Sequence, residues 1–237
     1  MEESEAAFAR FRQPAPGSQP AYATPSYRST ALRAPLRPLV PFSASVTESA
    51  GPRFSPAHFP PLADLTRVDG GEAQGQRIIV AGMVSDEEGR PVTETMIELW
   101  QANAAGRYRH PADQHDAPID PYFRGVGRVF TDAQGRYRFV SVRPGSYPWR
   151  NHDNAWRPSH IHFSLFGTSF AQRLITQMYF EGDPLLVSDP IFNSIPDRTA
   201  RERLVARFDL ALTEPEWAHG YRFDIVLRGR DATPMEK

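Results

Sequence analysis

The chain has no cysteine, and this absence removes disulfides, thiolate metal sites, iron–sulfur clusters and cysteine nucleophiles. Any metal must be held by nitrogen or oxygen. An excess of one charge is missing too: 27 basic residues stand against 28 acidic ones, so no strong field points to nucleic acid, an anionic membrane or a polyanion as partner. Long hydrophobic runs are lacking, and nothing approaches the roughly 18 apolar residues of a membrane-spanning helix. The opening MEESEAAFARFRQ has neither the basic start nor the apolar stretch of a secretory signal. A soluble cytoplasmic protein is the expectation. Lysine is almost absent, with Lys237 alone, so nearly every cation is an arginine.

What is present is a chain of 237 residues, 40% hydrophobic, long enough to bury a full core. From Pro14 to Pro61 prolines recur every few residues without a sustained apolar period, which describes an extended arm running over another surface. Tyr22, Tyr27, Leu32, Leu39, Val40, Phe42, Phe54 and Phe59 give it apolar anchors that a solvated tail would not need. Residues 1–75 are therefore read as an arm packing on the core or on a partner chain, and residues 76–237 as one catalytic body.

Within the body, short β-prone runs alternate with turn residues: 77–84, 95–101, 127–131, 137–142, 160–166, 174–180, 204–210 and 221–228. Asp132-Ala-Gln-Gly135 reads as a hairpin connection, and helical periodicity is confined to a short stretch near Pro196 to Arg203. The pattern predicts an all-β fold, an antiparallel β-sandwich with long functional loops and an extended Pro-rich N-terminal arm. The connections 102–126, 143–159 and 181–195 are longer than sandwich loops need, and long loops on a rigid scaffold commonly carry function.

The chemistry concentrates around His160-Ile-His162. On a strand, side chains alternate faces, so both imidazoles leave one face while Ile161 and Phe163 enter the other. Such a pair occurs in several unrelated metal sites and also by chance on solvated strands. Two long loops add phenols, Tyr108 in Gly106-Arg-Tyr-Arg-His110 and Tyr147 in Gly145-Ser-Tyr-Pro-Trp-Arg-Asn151. A hard trivalent cation stabilises phenolate, so two phenolates with two imidazoles suit ferric iron. Zinc favours His, Cys and carboxylate, and copper recruits more histidine or soft sulfur. The competing reading makes Tyr108 and Tyr147 ordinary loop aromatics. Arg157 places positive charge near the same point, where it would stabilise an anion, or else pairs with an acid such as Asp153. Gln177 on the next strand is a donor for that region, or else an outward polar residue.

Trp100-Gln-Ala-Asn103, the two tyrosine segments, Trp156-Arg-Pro-Ser-His-Ile-His-Phe163, Gln177-Met-Tyr-Phe-Glu-Gly-Asp-Pro184 and Tyr221-Arg-Phe-Asp-Ile-Val-Leu-Arg-Gly229 together resemble the intradiol ring-cleaving dioxygenases, over most of the chain and including Thr24-Pro-Ser-Tyr27. The resemblance implies non-haem Fe(III), one per chain, held by Tyr108, Tyr147, His160 and His162 with a hydroxide or water. Tyr147 and His162 would be axial. It implies that Tyr147, Arg157 and Gln177 take part in catalysis and that Tyr27, Trp149 and Ile191 face the substrate, a catechol that reacts with dioxygen. The chain departs from the family pattern near Asn151-His-Asp-Asn154 and at Asp189. A homologous α subunit without the iron ligands is the implied partner, in a hetero-oligomer of αβ units. Three other readings stand beside this one: a His-x-His metal hydrolase, a prealbumin-like binding module, and a homodimeric catechol or hydroxyquinol 1,2-dioxygenase of the same family, for which the Pro-rich arm is the wrong kind of element.

Overall fold

The computed structural model describes residues 14–25, 34–35, 37, 54–149, 156–167 and 173–236. Thirteen strands are found among them. Two form a small hairpin, β1 (Arg67–Val68) and β2 (Gly71–Glu72). The main ones are β3 (Arg77–Ser85), β4 (Met96–Trp100), β5 (Val126–Phe130) and β6 (Arg136–Val142). Next come a two-residue pair, β7 (Tyr147–Pro148) and β8 (Trp156–Arg157), and the long β9 (His160–Phe166) and β10 (Arg173–Phe180). The last are β11 (Val205–Phe208), β12 (His219–Arg222) and β13 (Ile225–Val226).

Nine strands form one sheet in the order β13-β3-β12-β11-β10-β9-β4-β5, with β6 on β3. The all-β expectation holds, and each predicted strand of the body has a counterpart. The antiparallel expectation is corrected at three places: β10 with β11, β12 with β3, and β13 with β3 run parallel. Each joins strands far apart in the chain, which no hairpin constrains to run oppositely. Between β10 and β11 the chain crosses over through 3₁₀ turns at Pro184–Val187 and Phe192–Ser194 and the short helix α1 (Arg198–Glu202). Asp197 caps α1 by accepting from Ala200 N at 3.1 Å. The predicted run 221–228 is broken in two because side-chain groups interrupt the ladder. Tyr137 Oη donates to Phe223 O at 2.5 Å, and Asp224 Oδ1 accepts from Met83 N at 2.8 Å.

One hydrophobic cluster joins Ile78, Val80 and Phe139 of β3 and β6 to Ile97, Leu99, Ile161, Phe163 and Leu165 of β4 and β9. Leu65, ahead of β1, is fully buried in the same cluster. Residues 14–25 lie on the body, where Ala21 N donates to Ser194 O and Gly17 O accepts from Asp197 N. Among the described residues, no helix is long and apolar enough to cross a membrane.

Candidate functional site

β9 sits between β4 and β10, and its register sets the site. His162 lies opposite Trp100 on one side and Gln177 on the other, while His160 lies opposite Tyr179. Paired residues share a face, so Trp100, His160, His162, Gln177 and Tyr179 line one surface. Ile161, Phe163 and Leu165 leave β9 on the opposite side into the hydrophobic cluster. Trp100 is parallel to the His162 ring, with centroids 4.8 Å apart and planes 6° apart.

Two loops carry the phenols over this face. Asn103 Oδ1 accepts from Ala105 N and Arg107 N, both at 2.9 Å, making a tight turn that Gly106 completes at φ +81°. A Cβ on Gly106 would lie 2.3 Å from Ser146 O, so the Tyr108 loop and the Tyr147 loop touch backbone to backbone there. Gly145 N in turn donates to Asn103 O. Asp113 Oδ2 accepts from Tyr108 N at 2.7 Å, and β7 pairs with β8 so that Tyr147 lies opposite Arg157.

The four sequence-predicted donors are brought together. Tyr147 Oη is 3.3 Å and Tyr108 Oη 3.5 Å from His160 Nε2. The two imidazoles lie 4.9 Å apart and the two phenol rings 5.5 Å apart, edge to face. His160 Nδ1–H donates to Pro158 O at 2.7 Å, and His162 Nδ1 is 2.8 Å from Glu236 Oε2. Each ring therefore keeps Nε2 for coordination.

Burial, and then the neighbouring Tyr147, push the Tyr108 hydroxyl well above the usual phenol range; burial raises that of Tyr147. Burial and then the Arg157 guanidinium drive His160 well below the usual imidazole range. The protein alone thus holds these groups neutral: two phenols and an imidazole packed where only a cation would make phenolate favourable. Oxygen and nitrogen donors at these separations, with both Nδ1 atoms already engaged, fit a ferric ion.

Arg157 is buried beside them. Its Nε donates to Asp189 Oδ1 at 2.9 Å, and its Nη2 donates to Gln177 Oε1 at 2.5 Å and Tyr179 Oη at 3.3 Å. Burial opposes its charge, but Asp189 and then the nearby phenols hold its pKa above the ordinary arginine value. The acid it pairs with is Asp189, fully buried; Asp153 lies outside the described residues. Tyr179 Oη also donates to Gln177 Oε1 at 2.8 Å, and the Gln177 amide faces the Glu236 carboxylate. Trp149 lies over the Arg157 guanidinium, 5.3 Å from its centre. Ile191 is buried two residues beyond Asp189. Tyr27 and residues 150–155 lie outside the described residues.

Over the donors opens a cavity of about 560 Å³ lined by Trp100, Tyr108, His110, Arg124, Tyr147 and His162, a size that takes a small aromatic molecule. A larger one, about 670 Å³, opens among Leu165, Arg173, Leu227 and Met235 and includes none of the four donors. Sequence reasoning missed Trp100, Tyr179 and Glu236 as members of the site. Alternation pointed to Tyr179, two residues after Gln177; nothing local pointed to Glu236.

A family model described as Dioxygenase matches residues 49–229, and one described as the N-terminal part of the protocatechuate 3,4-dioxygenase beta subunit matches residues 11–45. The chain is 58% identical to the protocatechuate 3,4-dioxygenase beta chain of Burkholderia cepacia over 223 residues, 93% of this chain and 94% of that one. It is 30% identical to the alpha chain from the same organism over 164 residues, 68% and 77% of the two chains. Among solved structures, 3-chlorocatechol 1,2-dioxygenase of Rhodococcus opacus 1CP superposes with a TM-score of 0.53 at 24% identity, covering 69% of this chain and 63% of that one. Hydroxyquinol 1,2-dioxygenase of Pseudomonas putida DLL-E4 gives 0.52 at 21%, covering 83% and 64%. The chain thus spans somewhat less than two thirds of those two solved chains, and they speak to the fold alone.

Proposed function

The chain belongs to the intradiol dioxygenase family, and we propose that it cleaves protocatechuate with dioxygen between the two hydroxylated ring carbons, giving 3-carboxy-cis,cis-muconate. The observation that carries the reading is the meeting of two phenols and two imidazoles on one buried face, with both phenol oxygens within 3.5 Å of His160 Nε2. The match of residues 11–45 to a beta-subunit N-terminal model favours protocatechuate over catechol or hydroxyquinol. A homologous alpha chain is the partner in this reading, in αβ units, and the cytoplasm is the compartment. In this reading residues 1–75 are an arm, of which residues 14–25 dock on the body through such bonds as Ala21 N to Ser194 O.

Tyr108, Tyr147, His160 and His162 would hold one iron per chain. Bound there, iron(III) supplies Lewis acidity toward the catechol oxygens and withdraws electron density through them, which opens the ring to attack by dioxygen. Everything else falls to the protein. Tyr147, once a phenolate, accepts a proton from a substrate hydroxyl at Oη, so one residue serves as ligand and base. Arg157 lies opposite it on the β7–β8 ribbon, its position fixed by Asp189 and Gln177, and presents fixed positive charge to the anionic substrate and to negative charge developing on the ring. Gln177 Nε2 is a buried donor beside the Glu236 carboxylate, on the face where the substrate and dioxygen would meet. Trp149 and Ile191 close the substrate side; Tyr27 is assigned to that side by the family resemblance alone.

The test is the visible spectrum and iron content of the protein produced with its alpha partner, before and after anaerobic addition of protocatechuate. A burgundy band that shifts on addition, with iron near one per chain, is the expected result. A colourless, iron-free protein from iron-replete medium would sink the reading.

A further inference from the structure

The residues from Ala232 to Glu236 form a strap. Thr233 N donates to Val226 O at 2.8 Å, and Thr233 Oγ1 accepts from Val226 N. Pro234 O accepts from Thr176 Oγ1 at 2.7 Å, Met235 N donates to Gln19 Oε1 at 2.9 Å, and Glu236 N donates to Ile175 O at 2.7 Å. Ala232, Thr233 and Pro234 are buried. Every residue from Thr233 to Glu236 is thus bonded through its backbone, to β13, β10 or the arm. This anchorage ends with the Glu236 backbone on Ile175, two residues before the register partner of His162. From there the carboxylate reaches His162 Nδ1 at 2.8 Å, with only 11% and 18% of the two side chains exposed.

Resting on the iron site proposed above, we infer that Glu236 is a positioning residue for it: the strap holds a carboxylate on His162 Nδ1, fixing the ring's tautomer and direction so that Nε2 faces the metal. Two restraints meet on this ring. Trp100 lies flat against it and opposes tilting, while Glu236 grips its edge and opposes rotation. His160 is held instead by a backbone carbonyl, Pro158 O, which no substitution removes. The two imidazoles therefore differ: a carboxylate acceptor increases electron donation through His162 in a way an amide carbonyl does not. Gln19 extends the chain of contacts to the arm, so arm and metal site are joined through one strap.

The experiment uses the complex with the alpha partner and compares wild type with Glu236→Gln and Glu236→Ala. It reads the rate of iron loss to excess chelator, the position of the tyrosinate-to-iron band, and the Tm of the iron-free proteins. Outer partners of metal-bound histidine typically change affinity about 10- to 100-fold. Glu236→Ala is expected to lose iron at least about 10-fold faster, and Glu236→Gln, which keeps an acceptor but not the charge, less so. In both, weaker donation from His162 leaves the iron more acidic, and the band moves to longer wavelength. A merely structural role would lower Tm without moving the band, and that result overturns the proposal, as does Glu236→Gln with wild-type iron loss and an unmoved band. A colourless wild type overturns the iron site and this proposal with it, whereas a coloured wild type with unaffected variants overturns this proposal alone.

Discussion

The two faces of β9 are built from alternate residues of one strand and do opposite things. Ile161, Phe163 and Leu165 are essentially unexposed in an apolar cluster; their identities matter through volume and shape, and neighbours of similar size would serve. His160 and His162 are also buried, yet each needs a named partner at a named atom. The apolar side tolerates repacking, while the polar side depends on single bonds. If the division is real, damage on one side should leave the observables of the other nearly untouched.

The largest effect is expected on the polar side. His160→Ala removes the nitrogen that both phenols approach, and iron affinity should fall by more than the roughly 100-fold that losing an outer partner costs. Iron analysis of the purified complex and the visible band would both read near zero. Retention of the band would show that His160 is not a ligand. On the apolar side, Phe163 packs against Phe223, Tyr137 and Phe139 with ring centroids 5.2 to 6.0 Å away. Phe163→Ala should cost about 3–5 kcal/mol, measured by urea denaturation, while protein that still folds binds iron and shows the normal band.

Between these lies Gly106→Ala, which touches neither face of β9. A Cβ at φ +81° would be strained and would press on Ser146 O. A cost of about 1–3 kcal/mol is the scale of such strain, but the damage should concentrate in the Tyr108 loop. Iron loading should fall further than the change in Tm predicts. A variant that loses stability but loads iron normally would show the two loops to be independent supports.

The same division explains what could be read from the sequence. Strand alternation alone put His160 and His162 on one face and Ile161 and Phe163 on the other, because a period of two is local information. The long loops identified themselves by length, but that Tyr108 and Tyr147 meet over His160 came from family resemblance; nothing in the two loops encodes a distance between them. The supports were out of reach. Asp189 is 32 residues from Arg157 and Glu236 is 74 from His162, and a carboxylate in a loop carries no mark of the residue it will meet. The parallel pairings were missed for the same reason, since they join strands that only the tertiary fold brings together.

The smallest predicted effect is the most stringent. Ile161 stands between the two histidines in sequence, is fully buried and contributes only to the apolar side. Ile161→Val removes one methylene and should cost about 0.5–1.5 kcal/mol, visible as a modest drop in the urea midpoint with an unchanged slope. Because its backbone is held by β10 through Met178, the flanking imidazoles should keep their positions. Iron-loss rate, band position and kcat should then match wild type. If instead this single methylene shifts the band as Glu236→Gln is expected to, the strand transmits packing changes to its ligands, and the two faces are one coupled unit whose core residues belong to the metal site.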